Sequence, residues 1–391
     1  MTYRRLWSVA LVTVIGTALG FTAVPSAAAA ANGDAWGQAA SHATGDYYNP
    51  GEKKLTPAVA PKAKKRWSVP LGSAKCTSPS VPLVGANRLV TAAAYRISGY
   101  DATTGALRWR TPEAGKRHIT LAAIVGTNLV AQYWDCRSGK SYLTAFNVGT
   151  GKALYTKQIT ATMYDLLVDK GILVGGLWDP TIGNYGLRAY RISDGALVWA
   201  RQGSMAGQAV SAGGRIVAFG NDEPGAAFDI TTGKRLWSTG AGCYSPIGAS
   251  PDGAKFYMSC NDSDGIQVVD AATGQVTASF PYYGTIFGFA TDGKRVYLGT
   301  LSDSGVLAVD AGTGGKVWST KFADRGPIMF STGGGVLYGW RSYGHPIAAF
   351  DAKTGQAIKL DAGTSMIQGP PLMANGRLYG PTGSSVITFA P

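Results

Sequence analysis

Side chains that could do chemistry are sparse in this chain of 391 residues. The three histidines, His42, His118 and His345, are dispersed, and no H-E-x-x-H helix, nucleophile elbow, P-loop or paired zinc-type cysteine motif gathers them with carboxylates or thiols. No catalytic residue and no metal site is expected. Asp165, in Met163-Tyr164-Asp165, and Arg325 fall near the start of apolar strand-like runs, and a lone acid at such a place reads as a solvated side chain. Asn261-Asp262-Ser263-Asp264-Gly265 carries half of a calcium loop, lacks the remaining acidic ligands and reads as a turn. What remains is aromatic. Trp134, Trp178 and Trp340, with Tyr185, Arg341 and Tyr343 nearby, are of the types that binding patches favour. A saccharide or peptide could stack on them; the same rings could also fold back to cover strand ends.

The elements that must position these residues follow from composition and repetition. With 45% apolar residues, 15% charged residues and 54 glycines, the chain suits neither a disordered polymer nor a long helix. Arg4 and Arg5, an apolar run from Leu6 to Val24, and alanines after Pro25 make residues 1–30 an export signal cleaved near Ala29 to Ala31. No later stretch is long and apolar enough to span a bilayer, so no membrane span is expected after cleavage. Without the two signal arginines, 34 basic side chains stand against 23 acidic ones. That excess, densest at Lys62, Lys64, Lys65 and Arg66, favours anionic partners such as wall polymers. Nucleic acid is not expected, since export removes the protein from it and no recognition motif for it appears.

Seven copies of one turn organise the chain. Asp101-Ala-Thr-Thr-Gly105 recurs at Gly151, Gly195, Asp229 to Gly233, Asp270 to Gly274, Asp310 to Gly314 and Asp351 to Gly355, at spacings of 46, 44, 38, 41, 40 and 41 residues. Aspartate and threonine bond turn amides and glycine supplies a positive φ, so the motif is a strand reversal and not a ligand site. An aromatic follows four residues after most of the glycines, at Trp109, Tyr155, Trp199, Trp237 and Trp318. Ala278 and Lys359 break the series, which predicts lighter packing in the fifth and seventh copies.

Two more strands precede each turn, so each copy is a four-stranded antiparallel sheet. Sheets repeating every ~40 residues stack around an axis as a β-propeller. The fold class is therefore all-β. The carboxyl-terminal stretch from Met366 to Ala390 supplies three strands, and Arg66-Trp67-Ser68-Val69 supplies the missing fourth. Eight blades result, the ring being closed by an N-terminal strand joining the C-terminal blade, which removes both open edges. Residues 31–65 form an approach segment and 66–391 the propeller, expected to be monomeric.

Four cysteines in an exported protein permit two disulfides in three connectivities. A hairpin between Ala249 and Ala254, with paired residue numbers summing to 503, sets Cys243 against Cys260 and leaves Cys76 to clip blade one to Cys136 of blade two. The connections on the face opposite the Thr-Gly turns vary most: Tyr133 to Ser141, Leu177 to Gly186, Gly220 to Gly225 and Trp340 to Pro346. Protein, peptide or saccharide ligands are expected on this loop face.

The pattern A-x-D-x-x-T-G-K-x-x-W, clearest from Ala227 to Trp237 and nearly intact from Ala308 to Trp318, resembles the repeat of the PQQ-binding-like, quinoprotein-type β-propellers. The leader from Trp36 through Asn49-Pro50-Gly51-Glu52 to Trp67 resembles their approach segment. The resemblance implies that each tryptophan docks on the glycine of a neighbouring blade. It also implies two functions, a non-catalytic binding or scaffolding module of the cell envelope or extracellular space, or a PQQ- and calcium-dependent dehydrogenase oxidising an alcohol or sugar. The quinone-binding members resemble one another in an adjacent cysteine pair, a calcium site and a catalytic aspartate near the axis. This chain has no two consecutive cysteines and only short blades, so the non-catalytic role, without cofactor, is the expectation.

Overall fold

The computed structural model describes residues 35–73, 79–113, 115–179, 184–202, 204–205, 210–220, 225–238, 243–260, 265–281, 286–300, 305–321, 329–340, 347–361, 363–364, 367 and 369–391. Eight antiparallel sheets follow one another along the chain. Blade one is Leu83–Gly85, Arg88–Ala93, Arg96–Asp101 and Leu107–Arg110, from the innermost strand outward. Blade two is Arg117–Val125, Asn128–Asp135, Ser141–Asn147 and Ala153–Ile159; blade three is Tyr164–Asp169, Ile172–Asp179, Asn184–Arg191 and Leu197–Gln202. Blade four has its innermost strand in two pieces, Ser204–Met205 and Ser211–Ala212, both pairing with Arg215–Gly220, then Ala226–Asp229 and Arg235–Ser238. Blade five is Cys243–Ala249, Lys255–Cys260, Ile266–Asp270 and Val276–Phe280, and blade six Ile286–Thr291, Arg295–Thr300, Gly305–Asp310 and Lys316–Lys321. Blade seven is Met329–Gly333, Val336–Trp340, Ala348–Asp351 and Ala357–Ile358. Blade eight takes Leu372–Ala374, Arg377–Pro381 and Ser385–Ala390 from the carboxyl end and Lys64–Pro70 from the amino end. Among the described residues, 3-10 conformation occurs at Ala60–Lys62 and at 363–364.

Strand alternation explains why such small sheets need neighbours. In Gly305–Asp310, Leu307 and Val309 enter a core shared with Phe289 of the same blade and Tyr257 of blade five, whereas Val306 and Ala308 enter one shared with Phe330 and Leu337 of blade seven. Both faces are therefore apolar, and each blade buries them only between two others.

The repeated turn is held as its residues require. The Asp101 carboxylate accepts the amides of Thr103 and Thr104 at 3.0 and 2.9 Å, and Gly105 sits at φ +73°. Asp270, Asp310 and Asp351 accept the same pair of amides, and Asp229 does so while also bonding both threonine hydroxyls. Each glycine also receives a ring from the preceding blade. A Cβ on Gly105 would lie 2.6 Å from Trp67, one on Gly151 2.4 Å from Trp109, and one on Gly355 2.7 Å from Trp318. Trp199 and Trp237 cover Gly233 and Gly274, Tyr155 covers Gly195, and the indoles donate to backbone oxygens of the covered turns.

Blade five corrects the expectation of lighter packing there. Ala278 leaves the usual place empty, but Phe280, two residues further along the outer strand, reaches Gly314 and is buried. The strand thus uses its next inward-pointing position. At Lys359 no replacement occurs, and the physical reason is in the next blade. The third and fourth strands of blade eight come from opposite chain ends, so no Thr-Gly turn joins them and there is no glycine to cover.

The seam pairs Trp67 with Thr388 and Ser68 with Ile387, and the Trp67 indole donates to Thr103 O at 2.9 Å. The leader does more than approach. Trp36 exchanges backbone hydrogen bonds with Val84 of blade one, and Gly37 O accepts Ile124 N of blade two. The Gln38 amide both donates to and accepts from Val168 of blade three. Ala43 O, Thr44 O, Asp46 O and Tyr47 O then accept Ser211, Ala249, Thr291 and Thr332 amides of blades four to seven. Asn49 Nδ2 donates to Met373 O, and Glu52 accepts Gly376 N, in blade eight. Cross-links within the leader, Ser41 N to Gln38 O and Tyr47 N to Ala40 O, fold it into a cap over the axis on the face of the Thr-Gly turns.

Candidate functional site

The leader covers the turn face, and the candidate rings lie at the opposite ends of the strands. Blade three carries the densest set of exposed rings there. Trp178 and Tyr185, 46% and 38% exposed, are directly opposed partners in the second and third strands, with ring centroids 4.9 Å apart and planes at 72°. They were expected on a loop; they stand instead at the end of a hairpin whose pairing continues to Asp179 and Asn184. Trp134, 37% exposed, lies on blade two opposite His118 and Ser141. Trp340 is not part of this group: it packs against the core shared by blades seven, eight and one. Arg341, Tyr343 and Arg325 lie outside the described residues, as do Cys76 and Asn261 to Asp264.

Two residues not singled out as binding candidates join the blade-three edge. Tyr164, at 61% the most exposed of the large side chains, faces Gly176 across the first two strands. Asp165 follows at φ +51°, in a bulge between Tyr164 and Leu167 that takes two residues out of register. Burial raises the Asp165 pKa above the ordinary carboxylate value. The only sequence signal for Tyr164 was its place at the start of an innermost strand; the bulge itself has no sequence signature here. On blade two, Arg117 reaches Asp135 at 3.6 Å and lies over the Tyr142 ring at 4.8 Å, while burial lowers the pKa of His118.

Cys243 and Cys260 are directly opposed. The route differs from the expected register: Ala249 pairs with Phe256, and two bulges bring the cysteines into line. Neither Cys136 nor Cys260 is a free thiol.

A recess of about 320 Å³ opens on the turn face, between the leader and the inner turns of blades two to five, with His42, Asp169, Lys170 and Asp252 in its lining. Its carboxylates are engaged within the fold, Asp46 by Thr44, Asp169 by Ser211 and Asp252 by Ser250. Among the described residues no three His, Cys, Asp or Glu side chains converge.

A family model described as outer membrane protein assembly factor BamB matches residues 4–169 and 169–285. Among solved structures, the quinohemoprotein alcohol dehydrogenase from Comamonas testosteroni is 13% identical with a TM-score of 0.62, over 93% of this chain and 84% of that one. BamB from Moraxella catarrhalis is 17% identical with a TM-score of 0.56, over 84% and 100%. The computationally designed Ika8 protein is 19% identical with a TM-score of 0.60, also over 84% and 100%. At these identities the likeness is one of fold. No curated protein matches the chain.

Proposed function

This chain belongs to the propeller family whose model is described as outer membrane protein assembly factor BamB, and from that membership we propose a non-catalytic binding or scaffolding module, exported to the cell envelope or extracellular space. The observation that carries the reading is the contrast between the two faces. One is capped by a leader bonded to all eight blades; the other presents Trp134, Trp178 and Tyr185 to solvent. Aromatic side chains offer large contact area at small entropic cost, which suits a protein, peptide or saccharide ligand. The exposed Lys64, Lys65 and Arg66 on the seam strand add a place for anionic wall polymers. The protein acts as a monomer, its loop face held by disulfides Cys243–Cys260 and Cys76–Cys136. Peptide mapping without reduction that joined Cys260 to Cys136 would remove both pairings.

The discriminating experiment adds PQQ and calcium and follows dye-linked oxidation of alcohols and sugars together with protein melting. A binding module shows neither turnover nor a thermal shift. Turnover would replace this reading with a quinoprotein dehydrogenase.

A further inference from the structure

We propose that the loop-face edge of blade three is a saccharide platform, on which Tyr164, Trp178 and Tyr185 take the apolar face of a neutral pyranose chain and Asp165 accepts its hydroxyls. The inference rests on the binding-module reading and names its ligand class.

Register places the three rings on one side of the blade. Tyr164 opposes Gly176, Trp178 lies two residues beyond Gly176 on the same strand, and Tyr185 opposes Trp178. Side chains two apart on a strand share a face. Further down that face Val174, Leu187 and Ala189 are buried in the core shared with blade four, so the aromatics continue an apolar surface out into water. A Cβ built on Gly176 meets nothing within 4 Å. The sheet is thus notched beside Tyr164 and Trp178, where a substituent of a stacked ring can enter.

The chemistry selects among ligands. An anion would meet like charge at the Asp165 carboxylate. A proline-rich peptide, whose prolines carry no backbone N–H, would desolvate the same carboxylate while supplying few hydrogen-bond donors, a loss characteristic of unpaired buried polar groups. A quaternary ammonium wants ring faces on several sides, but Tyr185 stands edge-on to Trp178 at 72°, so the pair presents a broad surface and not a cage. A pyranose has both a flat C–H face for the rings and hydroxyls for the acid.

The test titrates the full mature chain calorimetrically with cellohexaose and with chitohexaose, and in parallel with tetramethylammonium chloride and a proline-rich decapeptide. At least one hexasaccharide is expected to bind and to quench tryptophan emission. Trp178→Ala and Tyr164→Ala should each weaken it by ~10-fold or more, and Asp165→Asn by a smaller factor. Leu154→Ala, an exposed site on the outer strand of blade two, should leave the affinity unchanged, and unaltered melting of each variant shows that the fold is intact. Absence of heat with both sugars overturns the proposal. So does sugar binding that survives Trp178→Ala with Tyr164→Ala, or binding of the ammonium ion or the peptide in place of sugar. If the sugars fail while quinone and calcium still give no turnover, only the ligand class falls; if turnover appears, the binding-module reading falls with it.

Discussion

At the scale of single residues, the series of ring-on-glycine contacts makes Phe280 and Lys359 unlike each other although both belong to copies that lack the usual aromatic. Phe280 is buried against Gly314, so Phe280→Ala should cost ~3–5 kcal/mol in urea unfolding. Lys359→Ala, facing a blade without a Thr-Gly turn, should stay within ~0.5 kcal/mol. Equal losses in the two variants would contradict the docking account. The turn aspartates make a second test. The Arg108 guanidinium, then the turn amides, hold the Asp101 carboxyl well below the usual carboxylate range, and amides of Thr273 and Thr313 lower Asp270 and Asp310. Because these folded values are depressed, their stabilisation is complete above ~pH 4 and is lost as pH falls through them. Asn147 already replaces aspartate in blade two, with its side-chain oxygen bonding Thr150, so the turn tolerates the amide. Asp101→Asn with Asp270→Asn and Asp310→Asn should flatten the fall of Tm between ~pH 4 and ~pH 2 in calorimetry. An unchanged acid limb would show that other carboxylates govern it. Residue types revealed the turn and its tryptophans because each copy repeats the same local chemistry; the Phe280 substitution was not legible, since it depends on which of two inward-pointing positions of the outer strand reaches the next blade.

Among the elements, the leader shows the limit of reading a chain in one dimension. Trp36, Asn49 and Glu52 were visible as an approach segment, but no local pattern says that an extended stretch bonds eight separate strands. Its grip is polar and buried. Glu52 accepts the amides of Lys54, Leu55 and Gly376 at 2.7, 3.0 and 2.8 Å. Glu52→Ala strands these donors and should cost ~1–3 kcal/mol, with faster hydrogen exchange in residues 36–55 measured by mass spectrometry. Exchange unchanged there would mean that the leader is held by packing alone. The aromatic hairpin of blade three was legible in its residues and not in its placement: strand length beyond Leu177 decided that Trp178 and Tyr185 pair directly.

For the whole molecule, period and count sufficed to give eight blades and the seam, because closure is a topological demand with one solution for a chain that ends three strands into a blade. Removing Lys64–Pro70 should leave Ser385–Ala390 as an open edge and drive edge-to-edge association into larger species than the intact chain forms, read by light scattering. A monodisperse monomer would mean that the seam strand is dispensable.

The capping leader also imposes a calendar on the molecule's birth. Residues made first cannot settle until those made last exist, since Asn49 waits for Met373 and Glu52 for Gly376. Contacts so distant along the chain form slowly and leave sticky intermediates in the interval. Maturation therefore finishes only after synthesis, and whatever escorts the nascent polypeptide must guard its amino end until the final hairpin arrives.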